Sequence, residues 1–224
     1  QCGAGELSPT DSWTWGEMKS STHILLKSLS VMEGQNIAIG SLIGAAMDGD
    51  GDRCLLIEST EDGARVVDGD KMADNVARAW DSTGVSDASM AFSIETDLAL
   101  ARSIERFSMN VKFYECAVGD RWLSNQLSRA FIESKTWPST IGAEDSGHLV
   151  LASPHPKIEN KWSLVGDGAA TLILQLLVRA LQFNNPSMLP AFRPGWKKRR
   201  SVVGTDRSKW TGKGKLADDI EKII

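Results

Sequence analysis

The sequence predicts an α/β fold, and three observations carry that expectation. From residue 88 onward, segments of strand character alternate with segments of helical apolar spacing. Residues 43–57 read as two apolar strands joined by a tight acidic loop. The chain has 224 residues, 42% of them apolar, enough for one large domain or two ordinary ones.

Taken in order, residues 1–20 are polar and Gly-rich, with Trp13 and Trp15. Residues 22–31 have helical spacing. After the strand–loop–strand of 43–57, a Glu61-Asp62-Gly63 turn and a short strand over 65–67 complete a hairpin. Asp68-Gly69-Asp70 then opens a helix through about Trp80, with Asp70 as the expected N-cap. Strands follow over 88–94 and 111–116, with helices over 96–107 and 122–132. Two short strands, 141–143 and 149–152, flank a polar loop. Residues 167–181 are apolar almost all round and read as a buried helix. Residues 184–196 hold three prolines and read as a linker.

Charge and cysteine usage narrow the function classes. The net charge of −4 argues against general affinity for polyanions. It is uneven: residues 186–224 carry ten Lys or Arg against four Asp or Glu, a local +6, leaving −10 for the rest. The basic run Lys197-Lys198-Arg199-Arg200 lacks interleaved aromatics, so it reads as a solvated or phosphate-binding face, with no nucleic-acid partner expected. Three cysteines, Cys2, Cys54 and Cys116, have no metal-type spacing. Cys54 and Cys116 lie in apolar strands and read as reduced core residues of a cytoplasmic protein. The longest apolar stretch, about 169–178, is too short to span a bilayer, and no signal peptide is visible.

The most informative six residues are Asp48-Gly49-Asp50-Gly51-Asp52-Arg53. Three carboxylates packed into five residues repel one another unless a cation sits among them, and a hard divalent ion such as Mg²⁺ suits oxygen ligands. Two glycines let alternate Asp side chains converge. Arg53 suits phosphoryl oxygens beside such a cation. A solvated acidic turn has the same composition. An EF-hand would need Gly at loop position 6 and Glu at position 12, where this chain has Arg53 and Ser59.

Other loops carry chemistry less specifically. Residues 142–148 place Glu144, Ser146 and His148 between two strands. Glu and Ser suit sugar hydroxyls, and His can move protons near neutral pH. A capped turn with a satisfied His fits equally. Val118-Gly119-Asp120-Arg121-Trp122 joins a strand to a helix and also fits an Asp cap with a solvated Arg. Gly166-Asp167-Gly168 opens the apolar helix, either as an anion-approachable turn or as an ordinary helix start.

In this order, DGDGDR (48–53), VDGDK (67–71), VGDRW (118–122), IGAEDSGH (141–148) and GDG (166–168) resemble the motifs of the α-D-phosphohexomutase family. That family comprises phosphoglucomutases, phosphomannomutases and phosphoglucosamine mutases. The resemblance runs over about residues 40–181, and the wording around GDR and GAEDSGH resembles phosphoglucosamine mutases most. Cys2-Gly3-Ala4-Gly5 resembles the end of the first strand of the family's second domain.

The resemblance implies tandem mixed-sheet α/β domains, the second and third of four, truncated at both ends. It implies a partial second domain over 1–66, a third over 67–185, and a linker with the start of a phosphate-binding fourth over 186–224. It further implies Mg²⁺ on Asp48, Asp50 and Asp52, catalytic roles for Arg53 and His148, and hexose phosphate held by Glu144, Ser146, His148, Asp120 and Arg121. The family's reaction moves a phosphoryl group between O1 and O6 of a hexose through a phosphoserine and a bisphosphate intermediate. The chain holds no Thr-Ala-Ser-His-Asn-Pro-like phosphoserine loop and no Arg-x-Ser-Gly-Thr-Glu-like phosphate loop; Gly204-Thr205-Asp206-Arg207-Ser208 is no substitute. Residues 5–48 also lack the family's Pro-Asn-Pro element. The expectation is that these residues alone do not turn over. Two other functions remain compatible with the residues. One is a haloacid-dehalogenase-like phosphotransferase with Asp48 as nucleophile, although the later Lys and acidic pair are not evident. The other is a non-catalytic module binding Mg²⁺ and sugar phosphate.

Overall fold

A computed structural model of the chain describes residues 6–134, 139–155, 157–159, 161–195 and 215. The first part is a four-stranded sheet. Strand β1 (Ser12–Thr14) leads into helix α1 (Trp15–Ser20), whose N-terminus is closed by a capping box between Thr14 and Glu17. Helix α2 (Ile24–Leu29) and a single 3₁₀ turn follow. Strands β2 (Leu42–Met47), β3 (Cys54–Ser59) and β4 (Gly63–Val67) form an antiparallel meander, and the sheet order is β1-β4-β3-β2. Met47 pairs with Cys54, so residues 48–53 form the whole connection between β2 and β3.

Helix α3 (Gly69–Ser82) leads to the second sheet. Its strands are β5 (Asp87–Ser93), β6 (Asn110–Cys116), β7 (Thr140–Ala143), β8 (Leu149–Pro154) and β9 (Trp162–Gly166). Helix α4 (Leu98–Ser103), helix α5 (Asp120–Ser134) and helix α6 (Gly168–Asn184) complete the chain order. The sheet order is β6-β5-β7-β8-β9, parallel through β6, β5 and β7 and antiparallel beyond. Strand β5 is buried on both faces, which is why its centre is an unbroken run of small and apolar residues. On one face Leu123, Leu127 and Ala91 pack together; on the other, Met72, Val76, Met90 and Phe92 do. That second cluster continues into Cys54, Leu56 and Val67 of the first sheet, so one core joins both sheets.

Several expectations change. The N-cap of α3 is Asp68, not Asp70: its carboxylate accepts the Lys71 N–H at 2.9 Å. Asp70 lies one residue inside the helix, buried, and accepts the Asp97 N–H at 2.8 Å. Strands β1 and β9 and helix α1 were not foreseen, because three to six residues carry too little periodicity. The helix expected over 96–107 is α4 followed by a 3₁₀ turn. Helix α6 is not buried all round. Gly168, Thr171, Gln175 and Val178 face inward, while Ile173, Leu177 and Phe183 are exposed. The Pro-rich stretch after α6 is tied back onto α3: Arg78 donates to the Leu189 carbonyl at 3.0 Å, and the Phe192 N–H donates to Asp74 at 3.2 Å.

Cys54 and Cys116 are free and buried, and burial pushes the Cys54 thiol up to about 11. No helix among the described residues is long and apolar enough to cross a membrane. Cys2 to Gly5, the run 197–200 and the loop 204–208 lie outside the described residues.

Candidate functional site

The acidic loop and the Glu144 loop come from different sheets; one backbone joint links the end of the first directly to the second, and two more tie each loop to the start of a helix. At the first, the Cys54 N–H donates to the Gly147 carbonyl at 3.0 Å, and Arg53 and His148 form an isolated antiparallel bridge. Gly147 has φ +89°, and a Cβ there would stand 2.5 Å from the Cys54 oxygen. At the second, the Gly69 N–H donates to the Asp145 carbonyl at 3.2 Å, and a Cβ on Gly69 would fall 1.8 Å from the Glu144 oxygen. At the third, the Gly168 N–H donates to the Gly51 carbonyl at 2.8 Å, with a Cβ position 2.7 Å from the Arg53 oxygen. Glycine is required at all three because backbone meets backbone.

These joints bring Asp48, Asp50, Asp52, Arg53, Asp120, Glu144 and His148 around one open recess of about 230 Å³. Asp48, Asp50 and Asp52 each offer an oxygen within 4.8 Å of the others. The flanking elements are strands, which excludes the EF-hand. Asp52 Oδ1 is buried without a hydrogen-bond partner, as an oxygen awaiting a cation would be. The donor set is all carboxylate oxygen and suits a hard divalent ion.

Each carboxylate has a distinct surrounding. Asp48 is buried and accepts from Arg53 twice, from Nε at 2.6 Å and from the backbone N–H at 3.2 Å. Burial pushes the Asp48 carboxyl up, but the Arg53 hydrogen bonds and charge outweigh it and hold it at about 2. Asp52 is raised, first by burial and then by Asp48 and Asp50, with the charge of His148 opposing. Asp50 is exposed. A depressed carboxylate stabilises the fold above its unfolded value near 4 and loses that contribution as pH falls toward 2. In the metal-free chain, the melting-temperature gap between wild type and Arg53→Gln is therefore expected to be full at pH 5 and to close as pH approaches 2. Melts across that window check it.

His148 is buried and contacts Asp52 Oδ2 through Nδ1 at 3.2 Å, while its Nε2 is buried without a partner. The ring lies against Gly166: a Cβ there would be 2.5 Å from Cε1 and 2.6 Å from Nε2. Gly166→Ala is expected to turn the imidazole away from Asp52, seen as a changed ¹H–¹⁵N imidazole pattern in NMR; an unchanged pattern would disprove the constraint.

Glu144 is buried, and its Oε1 accepts the Gly119 N–H at 2.5 Å, where Gly119 has φ +123°. The Ser146 hydroxyl lies 3.5 Å from Glu144 Oε2, beside the recess but outside its lining. Arg121 is exposed and stacks on Trp122 at 4.6 Å, also outside the lining. At Gly166-Asp167-Gly168 the ordinary helix start prevails. Asp167 caps the Ala170 N–H at 2.9 Å, and the Gly168 N–H is taken by the Gly51 carbonyl, so two of the first-turn amides are already engaged within the chain. Sequence reasoning missed the roles of Gly69, Gly119, Gly147 and Gly166; glycine inside each polar motif was the available signal.

Comparison with known proteins follows the same line. Residues 68–189 match the family described as phosphoglucomutase/phosphomannomutase, alpha/beta/alpha domain III. The phosphoglucosamine mutase of Gluconacetobacter diazotrophicus is 30% identical over 145 residues, 63% of this chain and 28% of that protein. That of Methylocella silvestris is 30% identical over 163 residues, 71% of this chain and 32% of that protein. The chain thus spans less than a third of these relatives. Among solved structures, an apo N-acetylglucosamine-phosphate mutase of the alpha-D-phosphohexomutase superfamily matches in fold, with TM-score 0.56 and 15% identity over 85% of this chain and 42% of that one. With the family's domain matched over more than half the residues and its α/β/α layering present around β5, the chain belongs to the phosphoglucomutase/phosphomannomutase family.

Proposed function

We propose that this chain carries the metal-binding and sugar-binding portion of a hexose-phosphate mutase, with glucosamine phosphate, glucose phosphate or mannose phosphate as the substrate class. The observation that carries it is the meeting of the Asp48–Asp50–Asp52 cluster with Glu144 in one recess. Phosphoryl transfer needs positioning and charge neutralisation more than covalent help.

Asp48, Asp50 and Asp52 would hold Mg²⁺, which when bound neutralises charge on the transferring phosphoryl group. Arg53 lines the recess with a partly exposed guanidinium and places a permanent positive charge beside the phosphoryl oxygens. Glu144, anchored by the Gly119 amide, accepts hydrogen bonds from sugar hydroxyls. Ser146 and Arg121 serve at the rim, and Asp120 faces the same recess. His148 acts chiefly through Asp52, whose carboxylate it orients from a buried position. Without a phosphoserine loop among these residues, the chain alone binds but does not turn over.

The test is an NMR titration with glucosamine 6-phosphate in the presence of Mg²⁺. Shifts at the Gly119, Gly147 and Gly168 amides are expected, weakened at least tenfold in Glu144→Gln. An absence of shifts at millimolar sugar phosphate, or indifference to Glu144→Gln, would overturn the assignment. Interconversion of hexose phosphates by the chain alone would overturn the inactivity.

A further inference from the structure

A second cavity, of about 300 Å³, lies further along α3 and α6. Eleven residues separate Gly168, at the recess, from Arg179, at this cavity, or about 16 Å along the helix. Its cations come from three elements: Arg65 on β4, Lys71 and Arg78 on α3, and Arg179 on α6. Four cations face two carboxylates, Glu58 and Asp74, an excess of two positive charges. Counting the flanking partners Asp68 and Arg106 leaves the excess unchanged, since one is acidic and one basic.

The two carboxylates are already shared. Glu58 takes both Arg65 at 2.7 Å and Arg179 at 2.9 Å. Asp74 takes both Arg78 at 3.1 Å and Arg106. Arg179 Nε is buried with no acceptor, and Lys71 Nζ donates to the Val66 carbonyl at 3.2 Å while its nearest carboxylate, Asp68, lies at 3.7 Å. Burial lowers Arg78, Asp74 opposes that, and the neighbouring charges of Arg106 and Arg179 add a smaller lowering. Buried Phe192 from the returning chain forms part of the wall and reduces solvent screening.

We propose that this cavity binds a doubly charged oxyanion of the phosphate class, separate from the recess and bridging the first sheet to α3 and α6. A phosphate dianion matches the charge excess, and its oxygens suit guanidinium and ammonium donors. The proposal does not depend on the mutase reading.

Titration calorimetry and thermal melts of the 224-residue chain in metal-free buffer test it, with inorganic phosphate and glucose 6-phosphate as probes. Inorganic phosphate is expected to bind once per chain and raise the melting temperature. Affinity should fall at least tenfold in Arg65→Gln and in Lys71→Gln, return largely in Arg65→Lys, and hold in Arg53→Gln. If glucose 6-phosphate shows the same dependence on Arg65, the phosphate is carried on a metabolite; if only inorganic phosphate does, the ion is free; either supports the site. Should Arg65→Gln fail to fold, Lys71→Gln carries the comparison. No phosphate binding, binding that survives both neutralisations, or binding lost only in Arg53→Gln would overturn the proposal.

Discussion

Asp50→Asn is expected to abolish the stabilisation that Mg²⁺ confers on this chain while slightly raising the melting temperature of the metal-free form. Asp48 is committed to Arg53 and Asp52 to His148, whereas Asp50 is exposed. Its removal therefore changes the cluster's charge with little cost elsewhere. In the metal-free state Asp50 adds to the repulsion that raises Asp52, so neutralising it relieves strain. With metal at a hundred times its dissociation constant, binding to the folded state alone contributes about 2.7 kcal/mol. For a chain of this size that is a rise of roughly 5–10 °C. A hundredfold weaker site at the same metal concentration retains only about 0.4 kcal/mol. Paired melts of wild type and variant, with and without Mg²⁺, check this. Equal Mg²⁺ shifts in both, or no shift in wild type, would mean that the three aspartates do not form a metal site.

Gly69→Ala is expected to be the most destabilising single methyl in the chain's functional region. The added Cβ would lie 1.8 Å from the Glu144 carbonyl oxygen and 2.8 Å from its carbon. Neither is the end of a flexible side chain. That carbonyl also accepts the Gly147 N–H at 3.0 Å, so it cannot swing away without opening the turn that carries Glu144 and His148. Either α3 or the 144–148 turn must move. Overpacking of this kind costs more than about 3 kcal/mol, or roughly 6–12 °C in melting temperature. Gly49→Ala is the control: a Cβ there meets nothing within 4 Å, so its melting temperature should stay close to wild type. The Gly69 variant should also lose sugar-phosphate binding, because the two loops separate. A melting temperature near wild type would show that the two backbones are not in contact.

The acidic loop was legible because clustered like charge needs a physical reason, and Asp48, Asp50 and Asp52 converge as that reasoning requires. Strand β5 was legible from its apolar run, and the hairpin of β3 and β4 from its turn residues. The cap of α3 was misplaced by two residues because Asp68 and Asp70 are locally equivalent. Which one caps depends on Asp97, 27 residues further on, which draws Asp70 inward. Helix α6 misled for a related reason: all-round apolarity reads as all-round burial, yet only the side toward α3 and β3 is covered. The three glycine joints had no periodic signature at all, since each depends on another backbone arriving from afar.

Local chemistry thus set what the proposed site is built from: three clustered carboxylates, Glu144 and Ser146 in one polar loop, and an arginine next to the acidic loop. Those properties belong to side chains and short spacings, and they survive in any fold. The contacts that make a site of them belong to residues distant in the chain. Gly168 reaches Gly51, Gly147 reaches Cys54, and Gly69 reaches the Glu144 turn only after both sheets share one core. The pairing of His148 with Asp52 against the open face of Gly166, and the excess of positive charge beside Arg179, likewise arise only there. Close packing brings groups of unrelated sequence position within a few ångströms, and at that range backbone sterics and low dielectric decide which partners each group has.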